Sequence, residues 1–200
     1  MTPGQQLPSE PPSNDFAECV LRLRSTAIVG VSTGGGAFTR QVIENMGAVN
    51  ERPVILPFSN PTSRSECTAE QAYTWSNGKA LFASGSPFAP VTFNEKTFAP
   101  VQGNNVFIFP AMGLAVLATE ATRVTDQMFL TAAEAVAEQV TEENVARGLI
   151  YPAVGDIQEV SVNVAVKIAE AVFRSGRAGV RRPKNIRRSI EKKMYRPVYG

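Results

Sequence analysis

Residues 28–39 read IVGVSTGGGAFT. A β-branched apolar run breaks at Ser32 and three glycines follow, then the helical spacing of Phe38, Val42, Ile43 and Met46 sets in. Strand, glycine loop and helix in that order form one arm of a βαβ unit. The same order recurs downstream. RPVILPFS at 52–59 is a second strand, although Pro57 lacks a ladder donor, which calls for an edge position or an early end. TAEQAYTWS at 68–76 opens with a capping box, Thr68 to Gln71, and Asn77-Gly78 turns the chain into a third strand, KALFASGS at 79–86. Strands alternating with helices at these lengths make a parallel sheet. Upstream, DFAECVLRLR at 15–24 has the make-up of a short helix, and residues 1–14, with four prolines, are expected to be disordered.

Beyond residue 100 the pattern changes. VQGNNVFIFP at 101–110 places two asparagines before an aromatic β-run, and FPAMGLAVLATEA at 109–121 is a buried helix. TAAEAVAEQV at 131–140 begins with a second capping box, Thr131 to Glu134. Apolar residues at 157, 160, 164, 168 and 172 give an amphipathic helix that stops at Gly176. The order is therefore parallel α/β followed by helices.

Bulk composition narrows the chemistry. The 200 residues are 44% hydrophobic and 19% charged, ordinary globular values, and the net charge of +2 gives no electrostatic case for nucleic acid. Two cysteines are too few for a disulfide framework. There is no histidine, which removes Ser-His and Cys-His catalysis and histidine metal sites. No apolar run is long enough for a membrane span, and no secretory signal is expected.

All three strands finish in small or amide residues, STGGG, SNPT and SGSP. Ligands of open parallel sheets lie beyond the carboxyl strand ends, where glycine admits a ligand to the backbone and helix N-termini offer N–H groups. Each motif alone is ordinary turn chemistry. Jointly they fit a cleft as well as they fit three turns. Asn60 is placed to present its amide there, with Pro61 keeping the preceding backbone extended. Asn104 and Asn105 form an amide pair that can donate to a carboxylate and accept from a hydroxyl, against the local alternative of Asx-turn bonding, which spacing alone favours.

The blocks IVGVSTGGGAFT, NERPVILPFSNPTSRSECTAEQAY, LFASGSPF, QGNNVFIFPAMGLAV and LIYPAVGDIQEVSVNVAVKIAEAV, with the ending MYRPVY, closely resemble the carboxy-terminal part of malic enzyme. The likeness runs from about residue 15 to the end. It implies a partial Rossmann-like α/β fold: a parallel sheet flanked by helices, then a helical C-terminal segment. It also implies an NAD(P)-binding domain (distal part) at 15–178 after the disordered 1–14, and a basic tail at 179–200. The activity it implies is oxidative decarboxylation of (S)-malate to pyruvate and CO2 with reduction of NAD or NADP, assisted by Mg2+ or Mn2+.

Carried over residue by residue, Asn60 falls on the malate-binding asparagine of SNPT, and Asn104 or Asn105, with Asn104 favoured, on the asparagine of QGNN. Gly30, Ser32, Gly34, Gly35, Gly36, Ser84, Gly85 and Ser86 fall on backbone lining the cofactor cleft. The family's proton-transferring tyrosine and lysine, its arginine, its acidic metal ligands and its G-x-G-x-x-G loop belong to segments preceding IVGVS. This sequence therefore supplies no catalytic residue and no metal ligand, and Val101 stands where the family has glycine. The resemblance leads us to expect a chain inactive alone; the alternatives are a non-catalytic module that associates with full-length malic enzyme subunits and, separately, a gene-model fragment. Homo-oligomers, and a cytoplasmic, mitochondrial or plastid location, are implied equally. Glu66 and Glu70 are explained as acids at a helix start, Asp156 and Glu159 as a cap and a solvated face, and Tyr73, Tyr151 and Cys67 as packing residues. The stretch GVRRPKNIRRSIEKKMYRPVYG contains one short helix and is better explained as solvated or subunit-contacting than as a polyanion site.

Overall fold

A computed structural model describes residues 13–195. The expected disorder of 1–14 lies outside them apart from Ser13 and Asn14, as does most of the MYRPVY ending. The described residues divide into two compact units, 13–103 with 144–150, and 104–143 with 151–195.

The first unit starts with α1 (Phe16–Leu23), whose N-cap Asp15 accepts from the Ala17 and Glu18 amides. β1 (Ala27–Gly30), α2 (Arg40–Val49), β2 (Val54–Pro57), α3 (Ala69–Trp75) and β3 (Leu81–Ser84) follow as the alternation requires. An antiparallel hairpin, β4 (Val91–Phe93) and β5 (Lys96–Phe98), comes next. Its turn residues Asn94 and Glu95 both have positive φ, the geometry of a tight hairpin turn. β6 (Val101–Gln102) then completes a parallel sheet of order β1-β2-β3-β6.

Register places Ile28 beside Ile55 and Ile55 beside Phe82, an apolar row across three strands. With Val42, Ile43 and Met46 from α2 and Ala72 and Tyr73 from α3, this row forms the unit's core. The other face is more open: Val29 is 55% exposed, and Val31 just past the strand is 74% exposed. β1 alternates exposed and buried positions, because helices cover only the Ile28 side. β2 is flanked on both sides, so of the two readings of Pro57 the early end is the correct one: Pro57 is the strand's last residue.

The second unit is helical. α4 (Phe109–Thr119), α5 (Asp126–Ala137), α7 (Ile157–Arg174) and α8 (Ile186–Glu191) pack around Ala115, Ala132, Ala165, Ile168, Ala169 and Ile190. Alanine at the contacts lets helix axes approach closely. A short α6 (Glu142–Ala146) lies where the chain returns to the first unit. Two expectations are corrected here. Residues 106–109 are not a β-run: Asn105–Phe107 is a 3-10 turn leading into α4, whose second residue is Pro110, a helix-starting position for proline. The strand precedes the asparagines, at Val101–Gln102. Thr131 does not open a helix but sits inside α5, whose N-cap is Thr125. By contrast the Thr68 capping box forms as expected, with Thr68 Oγ1 3.1 Å from the Gln71 amide and the Thr68 amide 2.8 Å from Gln71 Oε1.

Candidate functional site

Within the first unit the loops that leave β1, β2 and β3 meet at the carboxyl edge of the sheet. The Phe58 amide donates to Gly30 O at 2.8 Å and the Gly85 amide to Pro57 O at 3.2 Å, so each loop starts in register with its neighbour. Gly103 closes the row by donating to Ser84 O at 3.0 Å.

Asn60, on the β2 loop and exposed, accepts from the Ser86 hydroxyl through Oδ1, and its Nδ2 lies 3.4 Å from Phe58 O. The Asn60-Pro61 bond is cis. Gly85 makes this contact possible: a Cβ there would stand 2.7 Å from Asn60 Nδ2 and collide with Phe58 O. Ser84 is buried and its hydroxyl donates to Ser86 O at 2.8 Å, while Gln102 Nε2 donates to Gly85 O at 3.0 Å. The third loop is thus pinned from below by Ser84 and from the side by Gln102.

The β1 loop carries Ser32 and Gly34–Gly36, all exposed. A Cβ on Gly35 would come within 3.1 Å of Ser63 O, so glycine lets this loop lie against the turn after Asn60. Gly36 has φ +76 and open space beside it, and its amide donates to Ser65 O at 3.1 Å. Of the predicted residues, the first unit therefore brings together Gly30, Ser32, Gly34, Gly35, Gly36, Asn60, Ser84, Gly85 and Ser86. Asn104 and Asn105 open the second unit. There the Asn104 side chain accepts from the Val106 amide at 3.0 Å, the local bonding weighed against a ligand role, and Asn105 is exposed.

One residue that sequence reasoning misjudged stands at the centre. Glu66 is more than an acid suiting a helix start; it is fully buried. Its carboxylate accepts from the Ser32 amide at 3.4 Å, from the Ser59 amide at 3.4 Å and from the Ser59 hydroxyl. The Ser59 hydroxyl oxygen in turn accepts from the Thr33 amide at 2.8 Å. The helix-start signal of TAEQ pointed away from Glu66, because the partners that occupy it lie up to 34 residues away in sequence.

The remaining candidates behave as packing groups. Burial, and secondarily the nearby Glu66 charge, push the Cys67 thiol up to about 12, so it is no nucleophile at neutral pH. Tyr73 is buried, stacked on Phe98 at 4.4 Å between centroids, and burial raises its phenol to about 12. Tyr151 stacks on Phe107 at 5.9 Å and burial raises its phenol too. Glu159 pairs with Arg187 at 2.8 Å. Asp156 makes no side-chain cap bond, and Glu70 is an exposed first-turn acid. Among the described residues no group of three or more acids or cysteines is placed to hold a metal ion, and no helix is long and apolar enough to cross a membrane.

A parallel sheet with glycine-bearing loops along its carboxyl edge defines a Rossmann-like α/β fold. Residues 4–173 match the model of the family described as malic enzyme, NAD binding domain, and the chain belongs to that family. Over 189 residues it is 48% identical to the NADP-dependent malic enzyme of Vitis vinifera, covering 94% of this chain and 32% of that one. The chloroplastic NADP-dependent malic enzyme of Flaveria pringlei is also 48% identical, with 94% and 29% covered. The crystal structure of malic enzyme from Pyrococcus horikoshii superimposes with a TM-score of 0.65 at 25% identity, over 88% of this chain and 36% of that one. The Entamoeba histolytica malic enzyme, at 21% identity and a TM-score of 0.69 over 90% and 32%, shares the fold. The chain thus spans about a third of the length of the curated relatives it matches.

Proposed function

We propose that this chain is the distal, ligand-holding part of a malic-enzyme-type oxidoreductase, one that converts (S)-malate to pyruvate and CO2 while reducing NAD or NADP. The observation that carries the reading is the contact of Asn60 with Ser86 over Gly85, at the carboxyl edge of a parallel sheet. The 48% identity to an NADP-dependent malic enzyme supports taking Asn60 as a substrate-side amide and residues 84–86 as a cofactor-side loop. Asn60 Nδ2 would donate to a malate oxygen. The exposed backbone of Gly34, Gly35 and Gly36, with Gly30, Ser32 and residues 84–86, would hold the nucleotide, whose nicotinamide supplies a hydride acceptor when bound. The open space at Gly36 fits such a close approach, while Gly35 and Gly85 are glycines for contacts within the protein itself.

The described acids do not fit a divalent-cation site, so the Mg2+ or Mn2+ of the reaction, like the proton-transfer groups, would have to be held by other residues. The domain reading of 15–178 with a basic tail at 179–200 belongs to the same proposal. So does a cytoplasmic or organellar location.

The expected result is that the 200-residue chain, given malate, NAD(P) and Mg2+, reduces no nucleotide. A chimera carrying this chain in place of the matching 189 residues of the Vitis vinifera enzyme should do so. In that chimera Asn60→Ala should lower kcat/KM for malate by about a hundredfold, the loss of a hydrogen bond to a charged substrate. Turnover by the chain alone, or an Asn60→Ala chimera at full activity, would sink the reading.

A second reading has its own observation. β1 ends the strand order with one flank unpaired among the described residues, and Val29 and Val31 are exposed beside it. Such an edge suits a non-catalytic module that docks on malic enzyme subunits. Co-elution of the chain with full-length subunits would support it, and a chain that stays monomeric in their presence would not.

A further inference from the structure

We propose that Glu66 is a positioning residue: it clamps the loop after β1 to the loop after β2 and so sets how the cofactor-side backbone faces Asn60. The inference rests on the ligand reading above but makes a claim of its own. Both Glu66 oxygens are used. Oε1 takes the Ser32 amide and the Ser59 hydroxyl, and Oε2 takes the Ser59 amide. Ser59 passes the connection on to the Thr33 amide, so two backbone groups of one loop and one of the other converge on a single carboxylate. Ser59 immediately precedes Asn60, and Ser32 and Thr33 immediately precede Gly34. The backbone around Glu66 adds two more ties, with Phe38 donating to Glu66 O at 3.0 Å and Gly36 to Ser65 O at 3.1 Å.

Space for the clamp is built in. A Cβ on Gly30 would overlap the Glu66 side chain, standing 2.6 Å from Oε2. Burying a carboxylate is costly, and an apolar side chain would fill the same space more cheaply. What an apolar side chain lacks is acceptors for three donors from two loops. Glutamine lacks them as well, since it has one carbonyl oxygen and turns an NH2 group toward the donors at the other position.

The test is amide hydrogen exchange by NMR on the 200-residue chain, comparing the parent with Glu66→Gln and Ser59→Ala. Ser59→Ala leaves the carboxylate in place and carries the test if Glu66→Gln does not fold. Exchange at Ser32, Thr33 and Ser59 should rise by about tenfold or more in Glu66→Gln, and at Thr33 in Ser59→Ala, with Ile55 and Phe82 within about twofold of the parent. Unchanged exchange at these loop amides overturns the inference, as does a uniform rise across β1, β2 and β3, the mark of a merely structural residue. The same samples titrated with malate and NADP, following the Asn60 side-chain amide and the Gly34–Gly36 resonances, separate the two claims. Loosened loops in a parent chain that never responds to either ligand would leave the clamp standing and count against the ligand reading. A responsive parent with loops indifferent to both substitutions would remove the clamp alone.

Discussion

The two units solve the problem of buried polar atoms differently. Among the described residues, Asn45, Ser59, Ser65, Glu66, Ser76 and Ser84 are the buried polar side chains of the first unit, against Thr119 and Ser161 in the second. Helices satisfy their own backbone, so the second unit needs little beyond Ala, Val and Ile at its contacts; Thr119 simply returns a hydrogen bond to Ala115 O at 2.8 Å on its own helix. Loops that run from strand to helix leave amides and carbonyls unpaired, and in the first unit side chains from neighbouring loops meet them. The difference lies in Asn45, Ser59 and Glu66, which bond to groups 26 to 34 positions away, whereas Ser65, Ser76 and Ser84, like Thr119 in the second unit, pair within four residues of themselves.

If each unit rests on its own core, Phe82→Ala and Ile168→Ala should separate them most sharply. Phe82→Ala, at a fully buried central-strand position, is expected to cost about 3–5 kcal/mol and Ile168→Ala about 2–5 kcal/mol. Urea unfolding followed by amide exchange should show the first loss in β2 and β3 amides and the second in α7. Equal loosening of both units by either substitution would break the division.

Alkaline titration should also distinguish them. Cys67 and Tyr73, both in the first unit, are pushed up by burial to about 12 when folded, against ordinary values of 9.0 and 10.0. The unfolded chain releases those protons first, so their contribution is complete below about pH 9 and declines as pH climbs toward about 12. The unfolding midpoint of the first unit should fall over that window, and Cys67→Ala should flatten the early part of the fall. A midpoint level through pH 11 would contradict the burial of both groups.

The smallest effect contrasts two identical-looking signals. Thr68→Ala breaks an actual capping box and should cost about 1 kcal/mol. Thr131→Ala, inside α5, should be neutral or stabilising by about 0.5 kcal/mol, since alanine is the better helix former. Matching losses at the two positions would mean that Thr131 caps after all.

That pair also shows where the sequence could be read and where it could not. The strand–loop–helix alternation through residue 86 was legible because apolar period and turn chemistry agree at each step, and the glycine and amide endings of β1, β2 and β3 marked one edge of the sheet before any coordinate did. Thr131-x-x-Glu134 satisfies a local rule that α5 overrides by starting at Asp126. VFIF has strand composition, yet the Asn104 side chain and Pro110 start helical turns there. The hairpin of β4 and β5 depends on two positive-φ residues, Asn94 and Glu95, that lack the usual glycine. Glu66 was illegible for a different reason. Its meaning depends on the register of β1 against β2, and no window of neighbouring residues contains that.

The fit of Gly30 under Glu66 bears on how such a sequence drifts over time. Neither position can vary alone: a side chain at 30 evicts the acid, and a shorter residue at 66 leaves a gap where a methyl group would be welcome. Descendants of this chain should therefore alter the two sites in concert or keep both as they stand, a correlated inheritance written by a single steric overlap.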